Sequence, residues 1–101
     1  MERPVRGSIA LGRWTDQGAR SVTESPRRLD AAKKQLEDMG GRFMSYYMTM
    51  GEFDMVLVYD APDDATAARF SLLLGSAGAV RTVSMKAFPE QAYREIIASL
   101  R

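Results

Sequence analysis

Strand-type and helix-type hydrophobic patterns alternate along this chain in a single order. Strand-type patterns, in which apolar residues alternate with polar ones or run together briefly, cover residues 8–14, 42–50, 53–59 and 79–88. Apolar residues instead recur at helical spacing after Pro26, Pro62 and Pro89, where proline suits the first turn of a helix. The order is therefore β-α-β-β-α-β, followed by one further helix.

This order is typical of the ferredoxin-like, split βαβ arrangement, an α+β fold with two helices on one face of an antiparallel sheet. Its first and third strands lie at the centre of the sheet. Gly40 ends the first predicted helix, and Gly51 and Glu52 form the turn between the second and third strands. Residues 15–18 are predicted to form a polar loop. We therefore predict a ferredoxin-like domain with an added C-terminal helix.

The length of the chain allows one hydrophobic core. Its 101 residues are the size of one ordinary domain. Hydrophobic residues make up 46% and charged residues 27%, which is typical of a globular protein. We assign residues 1–7 to an N-terminal extension and residues 8–101 to a single domain.

Both faces of the predicted sheet are apolar. In the third strand, Met55, Leu57 and Tyr59 lie on one side, while Val56 and Val58 lie on the other. A face in contact with water would carry polar residues, so the face opposite the helices needs a cover. One candidate cover is the C-terminal helix, whose apolar stripe consists of Tyr93, Ile96, Ile97 and Leu100. The other is a second subunit, and we expect at least a dimer.

Composition excludes several kinds of chemistry. The chain has no cysteine and no histidine, which rules out disulfides, thiolate or imidazole metal ligands, and nucleophile–histidine pairs. Its net charge of +1 argues against a nucleic-acid or membrane-surface partner. No cofactor and no metal site are predicted. Because the sequence has neither a signal-peptide pattern nor a long apolar run, a cytoplasmic location is expected.

Several short motifs, taken together, resemble the GYD domain family. In order, they are Trp14-Thr15-Asp16-Gln17-Gly18, Ser25-Pro26-Arg27-Arg28, Gly51-Glu52-Phe53-Asp54, Ala61-Pro62-Asp63-Asp64 and Val80-Arg81-Thr82. The resemblance covers roughly residues 8 to 98. It implies a ferredoxin-like fold of the kind that pairs into a dimeric α/β barrel, and it implies no established activity or catalytic residue. Phe53 stands where the family motif has tyrosine, which argues against a mechanism that needs that phenol hydroxyl.

Asp54 is the first candidate for a functional residue. It stands at the start of an otherwise apolar strand, where a carboxylate can act as a general base or as an acceptor for a ligand. The structural alternative is that Asp54 accepts hydrogen bonds from the turn amides around Gly51 and Glu52.

A second group of candidates surrounds Trp14. The indole would form the wall of a pocket, with Thr15 and Asp16 supplying hydrogen bonds to a small polar ligand. Arg81 and Thr82 would line the same cleft from its far side. The alternative is that Trp14 belongs to the core, where tryptophan is usually buried.

Two pairs of adjacent residues are also open to two interpretations. Strict alternation places Tyr47 with Phe43 and opposite Tyr46, so only one of the two tyrosines can face a given pocket, and Tyr47 is our candidate. Arg27 and Arg28 lie in the first turn of a helix, where they would either recognise an anion or belong to a solvated face.

These observations favour a small homo-oligomeric module that binds a small, partly apolar ligand or serves as an assembly unit. The candidate ligand-binding residues are Trp14, Thr15, Asp16, Tyr47, Asp54, Arg81 and Thr82. The alternative is a cofactor-free enzyme on a dimeric α/β barrel, in which Asp54 is the general base and Arg81 stabilises a developing anion.

Overall fold

The four predicted strands and three predicted helices are confirmed in their order, and short additional helices follow the first strand. A computed structural model describes residues 7–100. Its strands are β1 (Gly7–Trp14), β2 (Arg42–Met48), β3 (Met55–Asp60) and β4 (Val80–Ala87), and its helices are α1 (Asp16–Arg20), α2 (Ser25–Asp38), α3 (Asp64–Ser76) and α4 (Glu90–Ala98). A short 3-10 helix, Val22–Glu24, leads into α2. Of the predicted N-terminal extension, residues 1–7, only Gly7 lies within the described residues, and it begins β1.

The four strands form one antiparallel sheet in the order β2-β3-β1-β4. The first and third strands are therefore central, as predicted, and the architecture is α+β and compatible with a ferredoxin-like fold. The core lies between the sheet and the helices α2 and α3. Leu36 of α2, Phe70 of α3 and Tyr59 of β3 are its largest fully buried side chains, and each contributes about 1.5–3 kcal/mol through burial.

The segment that follows β1 is a short helix rather than the predicted polar loop. Thr15 caps α1 by accepting a hydrogen bond from the amide of Gly18, 3.1 Å away. Its hydroxyl also donates to the carbonyl of Gly78 at 2.6 Å. A Cβ atom at Gly18 would collide with the carbonyl of Ala79, so glycine is needed where α1 packs against the start of β4. Long-range contacts therefore fix this helix, and the local sequence did not predict it.

A β-bulge in β2 changes which side chains face the helices. The pairing of β2 with β3 shifts between Phe43 and Ser45. As a result Phe43 and Tyr46 both pack against the core, while Tyr47 lies on the opposite face and is exposed. The strict alternation that placed Phe43 with Tyr47 is therefore wrong.

Helix α4 does not cover the second face of the sheet. No residue of α4 is buried, and its apolar stripe of Tyr93, Ile96, Ile97 and Leu100 is exposed. Within residues 7–100, α4 makes no extended contact with another element. The radius of gyration is 14.9 Å, against about 13 Å for a compact chain of this length. The first of the two expected covers is thus excluded within one subunit.

Candidate functional site

An apolar cavity of about 200 Å³ lies between α2, α3 and the face of the sheet that they cover. Most of its lining is apolar and comes from Trp14, Leu29, Ala31, Ala32, Met55, Leu57, Leu73, Leu74, Ala77, Ala79 and Val80. The cavity exists because the two helices make no extended contact with each other and because alanine occupies several positions between them. Alanine side chains are too small to fill the space that a leucine would occupy.

The polar groups of the cavity include one cation. Arg28, in the first turn of α2, lines the cavity. Its Nη1 donates to the Ser21 hydroxyl at 3.2 Å, whereas its Nη2 is buried and has no hydrogen-bond acceptor among residues 7–100. Tyr46 and Thr82 contribute hydroxyl groups. Burial raises the pKa of the Tyr46 phenol above its ordinary value, so the phenol stays protonated at neutral pH.

Among residues 7–100, no carboxylate lines this cavity. Within residues 7–100, no group of three or more Asp or Glu side chains is placed to hold a metal ion. No described helix has the length and apolar character that a membrane span requires. The lining also includes the Ser25 hydroxyl and the Gln35 carboxamide, so the cavity offers an apolar surface, three hydroxyl groups, one carboxamide and one guanidinium.

Asp54 lies outside the cavity. It links β1 to the segment that leads into β3 through two hydrogen bonds. Its Oδ2 accepts a hydrogen bond from the backbone amide of Trp14 at 2.9 Å, and its own amide donates to the carbonyl of Gly12 at 2.8 Å. Asp54 thus accepts from an amide, as the structural alternative expected. The donor is the last residue of β1, however, and not the turn at Gly51 and Glu52.

The other predicted site residues divide into two groups. Trp14 and Thr82 both line the cavity, and Trp14 also packs against the core, so both interpretations of this residue hold in part. Thr15 caps α1, Asp16 is exposed in the first turn of that helix, and Tyr47 is exposed on the opposite face of the sheet. These three residues do not line the cavity, and their role in binding stays a prediction.

Arg81 is also outside the lining. Its Nη1 donates to the carbonyl of Gly75 at 2.8 Å and to that of Val80 at 3.2 Å, beside the end of α3. The structure does not join Arg81 to Asp54 through any hydrogen bond or ion pair between described residues. Their proposed catalytic roles stay a prediction.

The cavity itself and the positions of two of its residues, Tyr46 and Arg28, were not predicted from the sequence. Tyr46 enters the lining because of the bulge, which has no sequence signal here. Arg28 was considered without a cavity beside it. Alanine at positions 31, 32, 77 and 79 was the one available signal, because small residues on facing elements leave space unless a large neighbour fills it.

A second apolar surface lies on the uncovered face of the sheet, which we call the open face. Strand register places two rows of side chains across all four strands there: Tyr47, Val56, Leu11 and Val83 in one, and Ser45, Val58, Ile9 and Met85 in the other. Seven of these eight residues are apolar or aromatic. Val83 is 52% exposed, and nothing within residues 7–100 covers the face.

Comparison with known proteins agrees with the motifs noted in the sequence. The model of the GYD domain matches residues 9–97. A Thermus thermophilus protein named "Glutamine synthetase and cystathionine beta-lyase binding protein" is 37% identical over 94 residues, which cover 92% of this chain and 96% of that protein. No solved structure matches the chain.

Proposed function

Because the chain belongs to the GYD domain family, we propose that it is an interaction module that self-associates and binds other proteins. The observation that carries the proposal is the open face, where two largely apolar rows of side chains cross all four strands and no other part of residues 7–100 covers them. A contiguous apolar patch on a small protein marks a contact surface. Pairing two open faces would give an assembly of the dimeric α/β barrel type.

The size of the open face suggests that α4 takes part in the dimer. Four strands about 4.8 Å apart, each about seven residues long, give a flat area of about 440 Å². A specific interface buries about 800 Å² on each partner. The exposed stripe of α4 supplies further apolar area on the same chain, and we assign it to the surface of the second subunit.

Sedimentation at micromolar concentration tests the self-association. Val83→Glu places a charge in the open face and should yield a monomer, since an unpaired charge cannot be buried between two apolar faces. The matched control is Leu72→Glu on α3, where the side chain is 72% exposed away from the open face. The control should remain oligomeric. A wild-type monomer at that concentration would refute the assembly.

The proposed partners of this chain are enzymes, with glutamine synthetase and cystathionine beta-lyase as the first to test. The support is the printed name of the Thermus thermophilus relative. Each purified enzyme from the source organism would be mixed with this chain and analysed by sedimentation. Co-migration with either enzyme supports the proposal. If both enzymes migrate alone, the proposal that they are partners of this chain is wrong. That result would not affect the proposed self-association, which the Val83→Glu experiment tests separately.

Binding of a small, partly apolar ligand is a second candidate function, favoured by the cavity between α2 and α3. The cofactor-free enzyme finds less support, because Asp54 and Arg81 are both engaged with backbone groups and neither lines that cavity. The cytoplasmic location expected from the sequence stays a prediction.

A further inference from the structure

The cavity between α2 and α3 has the size and polarity of a site for a small organic molecule. An apolar cavity of about 150 Å³ in another protein stays dry and binds benzene. The present cavity measures about 200 Å³, so it has room for a ring of that size with a short chain attached.

The charge beside the cavity limits which molecule fits. Arg28 forms no ion pair with any residue of the described range 7–100, and its buried Nη2 has no acceptor there. A guanidinium N–H that is buried without an acceptor destabilises the empty protein. Because no carboxylate from the described part of the chain lines the cavity, an anionic group on the ligand would meet the attractive charge of Arg28 and no repulsive charge from those residues.

The neighbouring residue Arg27 shows the ordinary alternative. It has the same side chain on the same turn of α2, yet it is 83% exposed and pairs with Glu24 at 3.2 Å. Arg27 is therefore satisfied by the protein and by water. Comparing Arg27 with Arg28 therefore distinguishes two effects on ligand binding. One is the effect of any positive charge near the N-terminus of α2, and the other is the effect of a guanidinium beside the cavity.

From this geometry we infer that the cavity binds a small carboxylate with an aromatic or aliphatic body, whose carboxylate oxygens accept hydrogen bonds from Arg28. In the proposed complex the body of the ligand packs against Trp14, Leu57 and Leu74, and the Arg28 side chain turns its N–H groups toward the carboxylate. The inference rests on the ligand-binding candidate named above and specifies its ligand class.

Trp14 is the one tryptophan of the chain and lines the cavity, so its fluorescence reports occupancy. The full chain would be titrated with 3-phenylpropanoate and with the uncharged 3-phenylpropanol, and each titration repeated by calorimetry. We expect the acid to bind about tenfold or more tightly than the alcohol, because hydrogen bonds to a charged group are stronger than neutral ones.

Three variants test whether the preference depends on Arg28. Arg28→Gln should remove the preference for the acid, because it weakens binding of the acid much more than binding of the alcohol. The matched control Arg27→Gln should keep the wild-type preference. Because Arg28→Gln could disturb folding, Arg28→Lys serves as a second variant that keeps the charge and should retain part of the preference. Circular dichroism checks that all three variants are folded.

The outcomes separate the inference from the function on which it rests. Equal affinity of the wild type for acid and alcohol would overturn the carboxylate inference and leave the cavity as a ligand site. The same holds if Arg27→Gln and Arg28→Gln lose the preference equally. If neither compound changes the fluorescence or gives heat at millimolar concentration, the ligand-binding candidate itself is wrong.

Discussion

Replacement of Asp54 tests whether this carboxylate holds the strands together or serves a function. The carboxylate is half-buried immediately before the start of β3, and its Oδ2 accepts from the amide of Trp14 at 2.9 Å. In Asp54→Ala that amide loses its acceptor where β1 ends. In Asp54→Asn the side-chain carbonyl keeps the same shape and can still accept the bond.

The size of the effect follows from the lost hydrogen bond. A partly buried donor left without an acceptor costs about 1–3 kcal/mol. In a domain of this size, 1 kcal/mol lowers the melting temperature by about 4–8 °C. Asp54→Ala should therefore melt well below the wild type, and Asp54→Asn should lie much closer to it. Thermal melts at pH 7 measure both, at one fixed protein concentration because an oligomer melts at a concentration-dependent temperature.

The opposite pattern would refute the structural role. If both variants melt at or above the wild-type temperature, the native carboxylate is a source of strain and not a tie between strands. Asp54 would then belong with the residues that act on a ligand or substrate. A loss of stability equal in both variants would show that the negative charge itself, beyond its capacity to accept one bond, stabilises the strand ends.

Four further substitutions test the α4 stripe, two glycines and the N-cap of α3. Ile97→Glu on α4 should weaken self-association in sedimentation while the melting of the monomer stays unchanged, because the side chain is already 49% exposed. Gly18→Ala should destabilise the protein by about 1–3 kcal/mol, because the new Cβ atom would collide with the backbone of Ala79 at the start of β4. At Gly75 a Cβ atom meets nothing within 4 Å, so Gly75→Ala should stabilise α3 by about 0.5–1 kcal/mol. Urea melts in which Gly18→Ala is the more stable variant would contradict this. Hydrogen bonds from Thr66 lower the pKa of Asp63. The stabilising effect of the Asp63 carboxylate is therefore present above about pH 4 and is lost as the pH falls through this lowered pKa. If the difference in melting temperature between the wild type and Asp63→Ala persists at about pH 2, the stabilisation has another cause.

The sequence predicted the features of the fold that depend on local patterns. It did not predict the features that depend on contacts between residues distant in the chain. The elements followed from periodicity. The central position of β3 followed from the β-α-β-β-α-β order and from a strand that is apolar on both sides, with Met55, Leu57 and Tyr59 on one side and Val56 and Val58 on the other. The helix α1 was missed because its glycine is selected by the backbone of β4, more than sixty residues away. The interior position of Tyr46 was missed because a bulge moves the alternation by one residue.

The site was harder to predict than the fold for the same reason. Trp14 and Thr82 were named as neighbours in a pocket, and the register of β1 with β4 brings them to one cavity. Arg28 carries the same sequence signal as Arg27, so only the packing of α2 distinguishes the two. A cavity is space that side chains fail to fill, and periodicity does not report it.

The outer strands of the sheet determine what form association can take. In the sheet formed by residues 7–100, the outer edges of β2 and β4 each have a row of backbone amides and carbonyls without a neighbouring strand. On β2 the bulge after Phe43 breaks the even spacing that another strand would need, and β4 carries Arg81 and Lys86 along its length. Bulges and charges at an edge hinder the addition of further strands. Concentrated solutions should therefore contain complexes of finite size, while fibrils that grow strand by strand are disfavoured.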